Sequence, residues 1–206
     1  MIEAFSLKTA HLFGDALASQ ARLRYRVFVR HRGLPHRHHG GMEYDEFDTP
    51  AAHYLVWRDR TTEVRGMFRV IPTTEPYMLE RYWPFLCQSR ALPKKEEVWE
   101  IGRVCVDRTY RARERKVIVP ELLCALHEFC LASGIRAVIG VTRRHLVSNY
   151  IPSGVEWLGE PAEIEGEEEA AFFIPAGHLR PEAHCAKLRI PSSVLSLESL
   201  TQRIAA

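Results

Sequence analysis

The stretch VWEIGRVCV, residues 98–106, decides the fold. Its β-branched residues predict a strand in which residues 98, 100, 102, 104 and 106 share one face and residues 99, 101, 103 and 105 share the other. Both faces are mostly apolar, which is typical of a central strand covered by helices on both sides. Glu100 and Arg103 are charged residues in this buried setting, so each needs a specific reason to be there.

Further strands on both sides of this segment complete a predicted sheet. Residues 53–58 and 64–71 form a predicted hairpin, and Pro72 ends its second strand. Later strands are predicted over residues 136–142, near 155–158 and over 170–175.

Apolar residues at helical spacing predict the helices that cover the sheet. They lie over residues 15–30, 117–133, 144–151 and 193–204, and Gly134 is placed to end the second of them. Residues 77–92 are expected to form short helices or turns, and the polar residues 33–49 a long mobile loop. This order predicts one domain over residues 1–206 with an α/β fold, an α/β/α sandwich around a mixed central sheet.

The composition is that of an ordinary globular protein. Of 206 residues, 46% are hydrophobic and 26% charged, and the net charge of +2 is too small to indicate a nucleic-acid partner. The five cysteines contain no C-x-x-C pair, which suggests neither a disulfide framework nor a zinc site. The sequence shows no signal peptide and no apolar run of about 20 residues, so we expect a cytoplasmic protein without a membrane partner.

Charged residues in otherwise apolar or aromatic surroundings point to a functional site. There are six of them, namely Arg24, Asp45, Asp48, Arg69, Glu100 and Arg103. Any one alone is equally consistent with a structural ion pair, because a buried charge needs a partner to offset its desolvation. Six in one chain call for a shared explanation, and perturbed charges cluster at active sites.

Four segments of the chain are specific in combination. They are LRYRVFVR at residues 23–30, YDEFDT at 44–49, GMFRV at 66–70 leading into PTT at 72–74, and WEIGR at 99–103. In this order and spacing they resemble the autoinducer synthase family, the N-acyl-homoserine-lactone synthases, and the resemblance extends to about Trp157. Leu34 stands where the family usually has a tryptophan that covers S-adenosylmethionine, so Phe28, Tyr44 or Phe47 would have to compensate.

The resemblance implies an enzyme with a fold like that of the N-acetyltransferases. It would transfer an acyl group from a thioester, on acyl-carrier protein or CoA, to the amine of S-adenosylmethionine. Lactonisation and release of methylthioadenosine would then yield a quorum-sensing signal. Both reactants are substrates in this scheme, so neither a cofactor nor a metal is expected.

The resemblance also assigns site residues. It places Arg24, Phe28, Asp45, Asp48 and Arg69 at S-adenosylmethionine, and Glu100 and Arg103 in catalysis. A protonated amine has no lone pair for attack on a thioester, so a base must remove its proton, and Glu100 is the candidate. Backbone amides at an irregular strand edge are expected to stabilise the oxyanion.

The acyl chain is expected between the sheet and the helix over residues 117–133. The candidate lining residues are Trp99, Ile101, Leu122, Leu126, Ile139, Val141 and Thr142. A basic run near the start of that helix is either a solvated surface or a contact for an acidic carrier protein or the phosphates of CoA. It consists of Arg111, Arg113, Arg115 and Lys116.

Two other functions are compatible with an α/β sandwich. A CoA-dependent N-acetyltransferase would cradle pyrophosphate in a glycine-rich turn, but residues 110–120 contain no glycine. A non-catalytic small-molecule-binding domain would not need charge on its central strands. His36, His38 and His39 lack the helical H-x-x-x-H spacing of a metal site, and the acidic residues 163–169 are expected to form a solvated turn.

Overall fold

The computed structural model describes residues 2–196. Its strands are β1 Ile2–Ser6, β2 His38–His39, β3 Met42–Glu43, β4 His53–Arg58, β5 Val64–Pro72, β6 Val98–Val106, β7 Ala137–Thr142, β8 Glu156–Trp157, β9 Ala162–Ile164 and β10 Glu167–Pro175. Its helices are α1 Ala16–Arg24, α2 Met78–Tyr82, α3 Ala112–Ala132, α4 Arg144–Ser148 and α5 Glu182–Leu188. Short 3₁₀ turns lie at Ala10–Phe13, Pro84–Leu86 and Ala176–His178.

One mixed sheet organises the chain. Its strand order is β1-β4-β5-β6-β7-β10-β8, with β9 attached to β10, while β2 and β3 form a separate small hairpin. Every neighbouring pair is antiparallel except β6 and β7, which are parallel because α3 crosses over between them. Helix α1 packs on one face of the sheet and α3 on the other, so the predicted α/β/α sandwich is confirmed.

A short seam joins the two halves of the sheet. Strands β6 and β7 pair only from Val98 with Ala137 to Ile101 with Gly140. Beyond these four pairs β6 continues along β5 and β7 along β10, so the parallel strands part. The sheet is therefore open between the C-terminal ends of β6 and β7.

A bulge in β6 starts where the seam ends. Gly102 pairs with Arg69 and Cys105 with Met67, so two residues of β6 stand opposite the single residue Phe68. Arg103 has a φ of +49°, which a non-glycine residue rarely adopts. The bulge leaves Arg103 and Val104 outside the regular ladder with β5.

The bulge corrects the alternation expected for residues 98–106. Cys105 packs with Met67 on the face that carries Glu100, whereas Val106 packs on the α3 face. Arg103 turns toward the Glu100 face as well, where it reaches Asp45. The expected alternation is wrong beyond Gly102, because one extra residue reverses which face each later side chain takes.

Helix boundaries differ from the sequence prediction in ways that follow from local contacts. Helix α1 continues as a π-helix over Tyr25–His31, and α3 begins at Ala112 instead of residue 117, so most of the basic run lies in its first turns. Gly134 ends α3 as expected, with a φ of +69°. Helix α4 is shorter than expected, and the expected loop over residues 33–49 contains the β2–β3 hairpin.

The two ends of the chain hold elements that were not predicted. Strand β1 pairs with β4, and α5 lies beside α3. Of the helix expected over residues 193–204, the part up to residue 196 is extended, and Leu195 forms a bridge with Ile2. The rest of that predicted helix lies outside the described residues.

Gly140 offers a test of the seam. A Cβ at this position would lie 2.6 Å from the carbonyl oxygen of Ile101 and 2.9 Å from the Phe172 ring. We expect Gly140→Ala to lower the free energy of unfolding by about 1–3 kcal/mol in urea denaturation, because backbone must move to make room. Gly177→Ala is the control, since its Cβ would meet nothing within 4 Å, and should change stability by less than about 0.5 kcal/mol. Equal stability of the two variants would contradict this account of the seam.

Candidate active site

Arg24, in the last turn of α1, is fully buried. Its Nε donates to Glu43, and its Nη1 and Nη2 donate to the two carboxylate oxygens of Asp48 at 2.7 and 2.9 Å. A bidentate pair of this kind satisfies a guanidinium that has no access to water. Burial alone would lower the pKa of Arg24, but the hydrogen bonds and charge of Asp48 raise it, so this side chain is always charged.

Two further arginines share the same carboxylates. Arg69 of β5 donates from Nη1 to Asp45 Oδ1 at 2.5 Å and to Asp48 Oδ1 at 3.0 Å. Arg103 of the β6 bulge places Nη2 2.7 Å from Asp45 Oδ2 and 3.4 Å from Glu43 Oε1. Three arginines and three carboxylates from α1, β5, β6 and the segment around β3 thus form one network, the Arg24 network, whose charges balance.

Two carboxylates of the Arg24 network, Asp48 and Glu43, have lowered pKa values. Burial would raise the pKa of Asp48, but hydrogen bonds and charge from Arg24 hold it well below its usual range. For Glu43, burial is likewise outweighed by its contacts with His36, Arg24 and Arg103, which lower the pKa. Tyr54 donates to Asp48 Oδ1 at 2.8 Å, and burial together with that carboxylate raises the pKa of the Tyr54 phenol, which stays neutral.

Glu100 lies beside this network and holds the start of α2. Its carboxylate accepts hydrogen bonds from the backbone N–H of Met78 at 2.9 Å and of Leu79 at 2.7 Å. Only 3% of the residue is exposed. Burial raises the pKa of Glu100 to about 7, although the two amides act in the opposite direction. Glu100 is therefore both an anchor for α2 and a group that can exchange a proton near neutral pH.

A cavity of about 670 Å³ opens next to the Arg24 network. Its walls combine acidic, cationic and aromatic side chains: His36, Arg37, Glu43, Tyr44, Asp45, Glu46, Met78, Tyr82, Trp83, Arg103, Glu163, Ile164 and Glu165. This volume lies in the range of small-molecule sites. The acidic residues 163–169, expected as a solvated turn, instead form a hairpin whose tip lines the cavity.

The structure brings together all seven residues assigned to S-adenosylmethionine and catalysis. The six charged ones form or adjoin the Arg24 network, and the ring of Phe28 lies under Arg103, with 5.4 Å from the guanidinium carbon to the ring centroid. Glu43 was not recognised from the sequence. The sequence does show a carboxylate two residues before Asp45. Only the fold shows that the Glu43 side chain is fully buried and contacts Arg24 and Arg103.

The aromatic residues around Leu34 divide into two groups. Leu34 is buried in the cluster that contains Phe28 and Phe47. Phe47 also lies beneath Arg69, with 5.8 Å between ring centroid and guanidinium carbon. Of the three aromatic residues considered as substitutes for a tryptophan, only Tyr44 lines the cavity, where Tyr82 and Trp83 join it.

The seven candidate acyl-pocket residues do not share one surface. Leu122 and Leu126 of α3 pack with Ile101 and Trp99 on one face of the sheet. Ile139 and Val141 pack on the other face, because the parallel register places Ile139 beside Glu100. Thr142 follows Val141 at the open end of β7. The expectation that all seven lie between the sheet and α3 is therefore wrong for Ile139 and Val141.

Metal-binding clusters and membrane-spanning helices are both absent from the described part of the chain. Within residues 2–196 no three His, Cys, Asp or Glu side chains are arranged to hold a metal ion. In the same residues no helix has both the length and the apolar composition to cross a membrane.

Glu43→Gln tests how strongly the Arg24 network holds the fold. The variant leaves two arginines short of one negative charge in a buried place, so we expect a loss of about 2–4 kcal/mol in unfolding free energy at about pH 7. The pKa of Glu43 is lower in the folded protein than in the unfolded chain. Its contribution to the free energy of unfolding is therefore fully present at pH values above its usual pKa, and it is lost as the pH falls through the lowered pKa. The difference between wild type and variant should therefore shrink in acid.

The matched control is Glu156→Gln. Glu156 pairs with Arg90 at 3.1 Å, but both side chains are largely exposed, at 50% and 41%. This change should alter stability by less than about 0.5 kcal/mol. A Glu43→Gln loss as small as that of the control would show that the network carries little stability.

Comparison with known proteins identifies relatives along most of the chain. The acetyltransferase (GNAT) domain family matches residues 23–119. The isovaleryl-homoserine lactone synthase of Bradyrhizobium diazoefficiens is 33% identical over 168 residues, which cover 80% of this chain and 75% of that protein. The acyl-homoserine-lactone synthase of Acinetobacter nosocomialis is 37% identical over 184 residues, which cover 79% of this chain and 93% of that protein.

Solved structures agree with these relatives. The CoA-dependent acyl-homoserine lactone synthase BjaI, solved with MTA, matches with a TM-score of 0.83 and 28% identity over 100% of this chain and 99% of that one. The same protein solved with SAM and isopentyl-CoA gives a TM-score of 0.82 at 27% identity and the same coverage. The chain therefore belongs to the acyl-homoserine-lactone synthase family and is an acyltransferase.

Proposed function

We propose that this chain acylates the amine of S-adenosylmethionine from an acyl thioester and closes the product to an acyl-homoserine lactone. The observation that carries the proposal is the pairing of a cavity lined by an excess of carboxylates over cations with a buried carboxyl group that titrates near neutral pH. The cavity recognises a zwitterionic substrate, and the carboxyl group removes the proton that blocks acylation. The related BjaI structure with SAM and isopentyl-CoA supports the same pair of substrates.

The cavity walls match the groups of S-adenosylmethionine. Asp45 and Glu43 supply negative charge for the sulfonium and the amine, and Arg103 supplies a guanidinium for the carboxylate. Tyr82 and Trp83 offer aromatic surface for the adenine ring. The Arg24 network already holds these charged groups in place, so binding need not reorganise them.

We assign the acyl donor to the opening between β6 and β7. This opening starts beyond the pair of Ile101 and Gly140, next to the bulge and close to Glu100. A thioester entering there would have its carbonyl beside Arg103 and Val104, which the bulge leaves outside the regular ladder. Their backbone N–H groups are the candidates for stabilising the oxyanion.

Two bond exchanges complete the reaction. Glu100, directly or through water, takes one proton from the amine and frees a lone pair, which forms the amide N–C bond as the thioester C–S bond breaks. The second proton lost from nitrogen goes to the departing sulfur, and the free thiol leaves. The methionyl carboxylate then forms an O–C bond to the carbon next to the sulfonium, whose C–S bond breaks. The electron pair stays on sulfur and methylthioadenosine leaves. Every bond that forms or breaks in this scheme belongs to the two substrates, apart from the proton that Glu100 accepts.

The direct test is product analysis with purified protein. We expect an acyl-homoserine lactone and methylthioadenosine in equal amounts, by mass spectrometry, when S-adenosylmethionine is supplied with an acyl thioester. Acyl-CoA and acylated carrier protein are tested side by side over short and long chains, and each donor alone is the control. Absence of both products with every thioester would refute the proposal.

Glu100→Gln separates a catalytic from a structural role of this residue. A neutral amide cannot accept the proton, so we expect kcat to fall about 10²- to 10⁴-fold with little change in KM for S-adenosylmethionine. In the wild type kcat should rise with pH through about 7, because only the ionised carboxylate acts as a base. The variant should lose that dependence.

Glu121→Gln is the matched control for Glu100→Gln. Glu121 is a carboxylate of α3 that accepts from the Trp57 indole at 2.5 Å, on the opposite face of the sheet from Glu100. Its replacement should leave kcat and the pH profile unchanged. If Glu100 only anchors α2, its variant would instead show a lower melting temperature and a raised KM with the wild-type pH profile.

A further inference from the structure

His36 forms an unusual contact at the rim of the cavity. Its Nε2 lies 2.9 Å from Glu165 Oε1, and its Nδ1 lies 3.3 Å from Glu43 Oε1. The ring also rests against Phe28, with 5.7 Å between the ring centroids. His36 and Glu165 are 129 residues apart in sequence, and both line the cavity, so this contact joins two parts of its wall.

The two contacts favour the charged form of His36. Contacts with His36 and nearby arginines lower the pKa of both Glu43 and Glu165, so each ring nitrogen faces an ionised carboxylate. A neutral imidazole carries one N–H and would direct a lone pair at one of these carboxylates. Only the imidazolium form presents a proton to both carboxylates: Nε2 is hydrogen-bonded to Glu165, whereas Nδ1 lies within ion-pair distance of Glu43 without the geometry of a hydrogen bond. The contacts with Glu165 and Glu43 raise the pKa of His36, against burial and the charge of Arg103.

The charged groups around this contact come from four elements. Glu43 lies on β3, Glu165 in the β9–β10 turn, and Arg103 in the β6 bulge. Arg32, which follows the π-helix, lies 3.9 Å from Glu165. Since Glu43 already binds two arginines, Glu165 is the carboxylate whose main partner is His36.

The turn that carries Glu165 gives an independent argument. It is a two-residue turn between β9 and β10, with a φ of +51° at Glu165 and +78° at Gly166. Positive φ at both central residues is the type I′ pattern, which favours Asn-Gly and disfavours glutamate at the first position. Glu165 therefore has a strained backbone conformation in this turn, and its carboxylate is the group that contacts His36.

We propose that His36 and Glu165 are positioning residues that form a proton-dependent clasp, which closes the rim of the cavity over its ligand. The proposal rests on the proposed function, because it takes the cavity to be the nucleoside site. The clasp ties the loop after α1 to the β9–β10 turn, and it slows escape of the ligand. Because the pKa of His36 is raised, its protonated ring stabilises the clasp fully at pH values below the usual histidine pKa of 6.5. This stabilisation is lost as the pH rises through the raised pKa.

Methylthioadenosine is the probe, measured by calorimetry and by displacement kinetics between about pH 6 and pH 9. It lacks the amine and carboxylate of S-adenosylmethionine, so its own charge stays constant over this range. For the wild type we expect Kd and the dissociation rate constant to rise about 3- to 10-fold across the range, as the clasp loses its proton.

Glu165→Asn is the decisive variant, because asparagine suits the turn while the carboxylate is removed. We expect the melting temperature of this variant to be unchanged or higher. Its affinity for methylthioadenosine at about pH 6 should be as low as that of the wild type at about pH 9, and it should not change with pH. His36→Gln should give the same flat profile, and the double variant should be no weaker than either single one. A merely structural role would move the melting temperature instead.

The control is Glu167→Gln, which removes another carboxylate of the same hairpin, one that pairs with Arg143 at 3.2 Å. It should keep the wild-type pH profile. A flat profile in the wild type, or a wild-type profile in Glu165→Asn, would overturn the clasp while leaving lactone synthesis intact. Failure of the wild type to bind methylthioadenosine at any pH would overturn the proposed nucleoside site and the clasp together.

Discussion

The guanidinium of Arg24 has no contact with solvent, and the rest of the site is arranged around that constraint. A buried cation is tolerated only if the protein replaces the hydrogen bonds and the charge screening of water. Asp48 and Glu43 do so, and both belong to the segment that follows α1. The position of this segment is therefore set by electrostatics, in a region where regular secondary structure amounts to two short strands. Apolar residues of similar volume would often fill such a place at no loss of stability, so the charges indicate a functional requirement.

Chemistry depends on the same arrangement. Arg69 and Arg103 join the carboxylates that hold Arg24, so the groups that face the cavity have fixed positions before any substrate arrives. A fixed set of dipoles and charges stabilises a transition state without the reorganisation that water would need. Glu100 lies at the border of this set, and burial keeps its proton exchangeable near neutral pH. Burial is the main cause of this raised pKa, and the charges of Arg69 and Asp45 in the network act on it as well.

Sequence patterns predicted much of this, and what they missed depends on long-range pairing. Periodicity located β4 to β7 and α3, and charge in apolar surroundings located six residues of the site. The bulge at Arg103 was missed because it is defined against Phe68 of a neighbouring strand. Ile139 was assigned to the wrong face because the register of β7 with β6 is not written in either strand alone. The roles of Glu43 and His36 were also missed, because their partners Arg103 and Glu165 are distant in sequence and come close only in the fold.

The four-pair seam between β6 and β7 has a consequence for how this scaffold can diverge. In the proposed reaction Glu100 and Arg103 lie on the β5–β6 side of the opening, whereas its far wall belongs to β7 and β10. The pairing of β6 with β7 stops at Ile101 and Gly140, so side chains on the far wall beyond this point can change size without disturbing the β5–β6 ladder that holds Glu100. With the acyl donor placed in this opening, selection for a new chain length acts on one half of the sheet. Under the proposed placement of the donor, substitutions on this half of the sheet would change the acyl chain of the product and leave the acid–base and binding groups as they are.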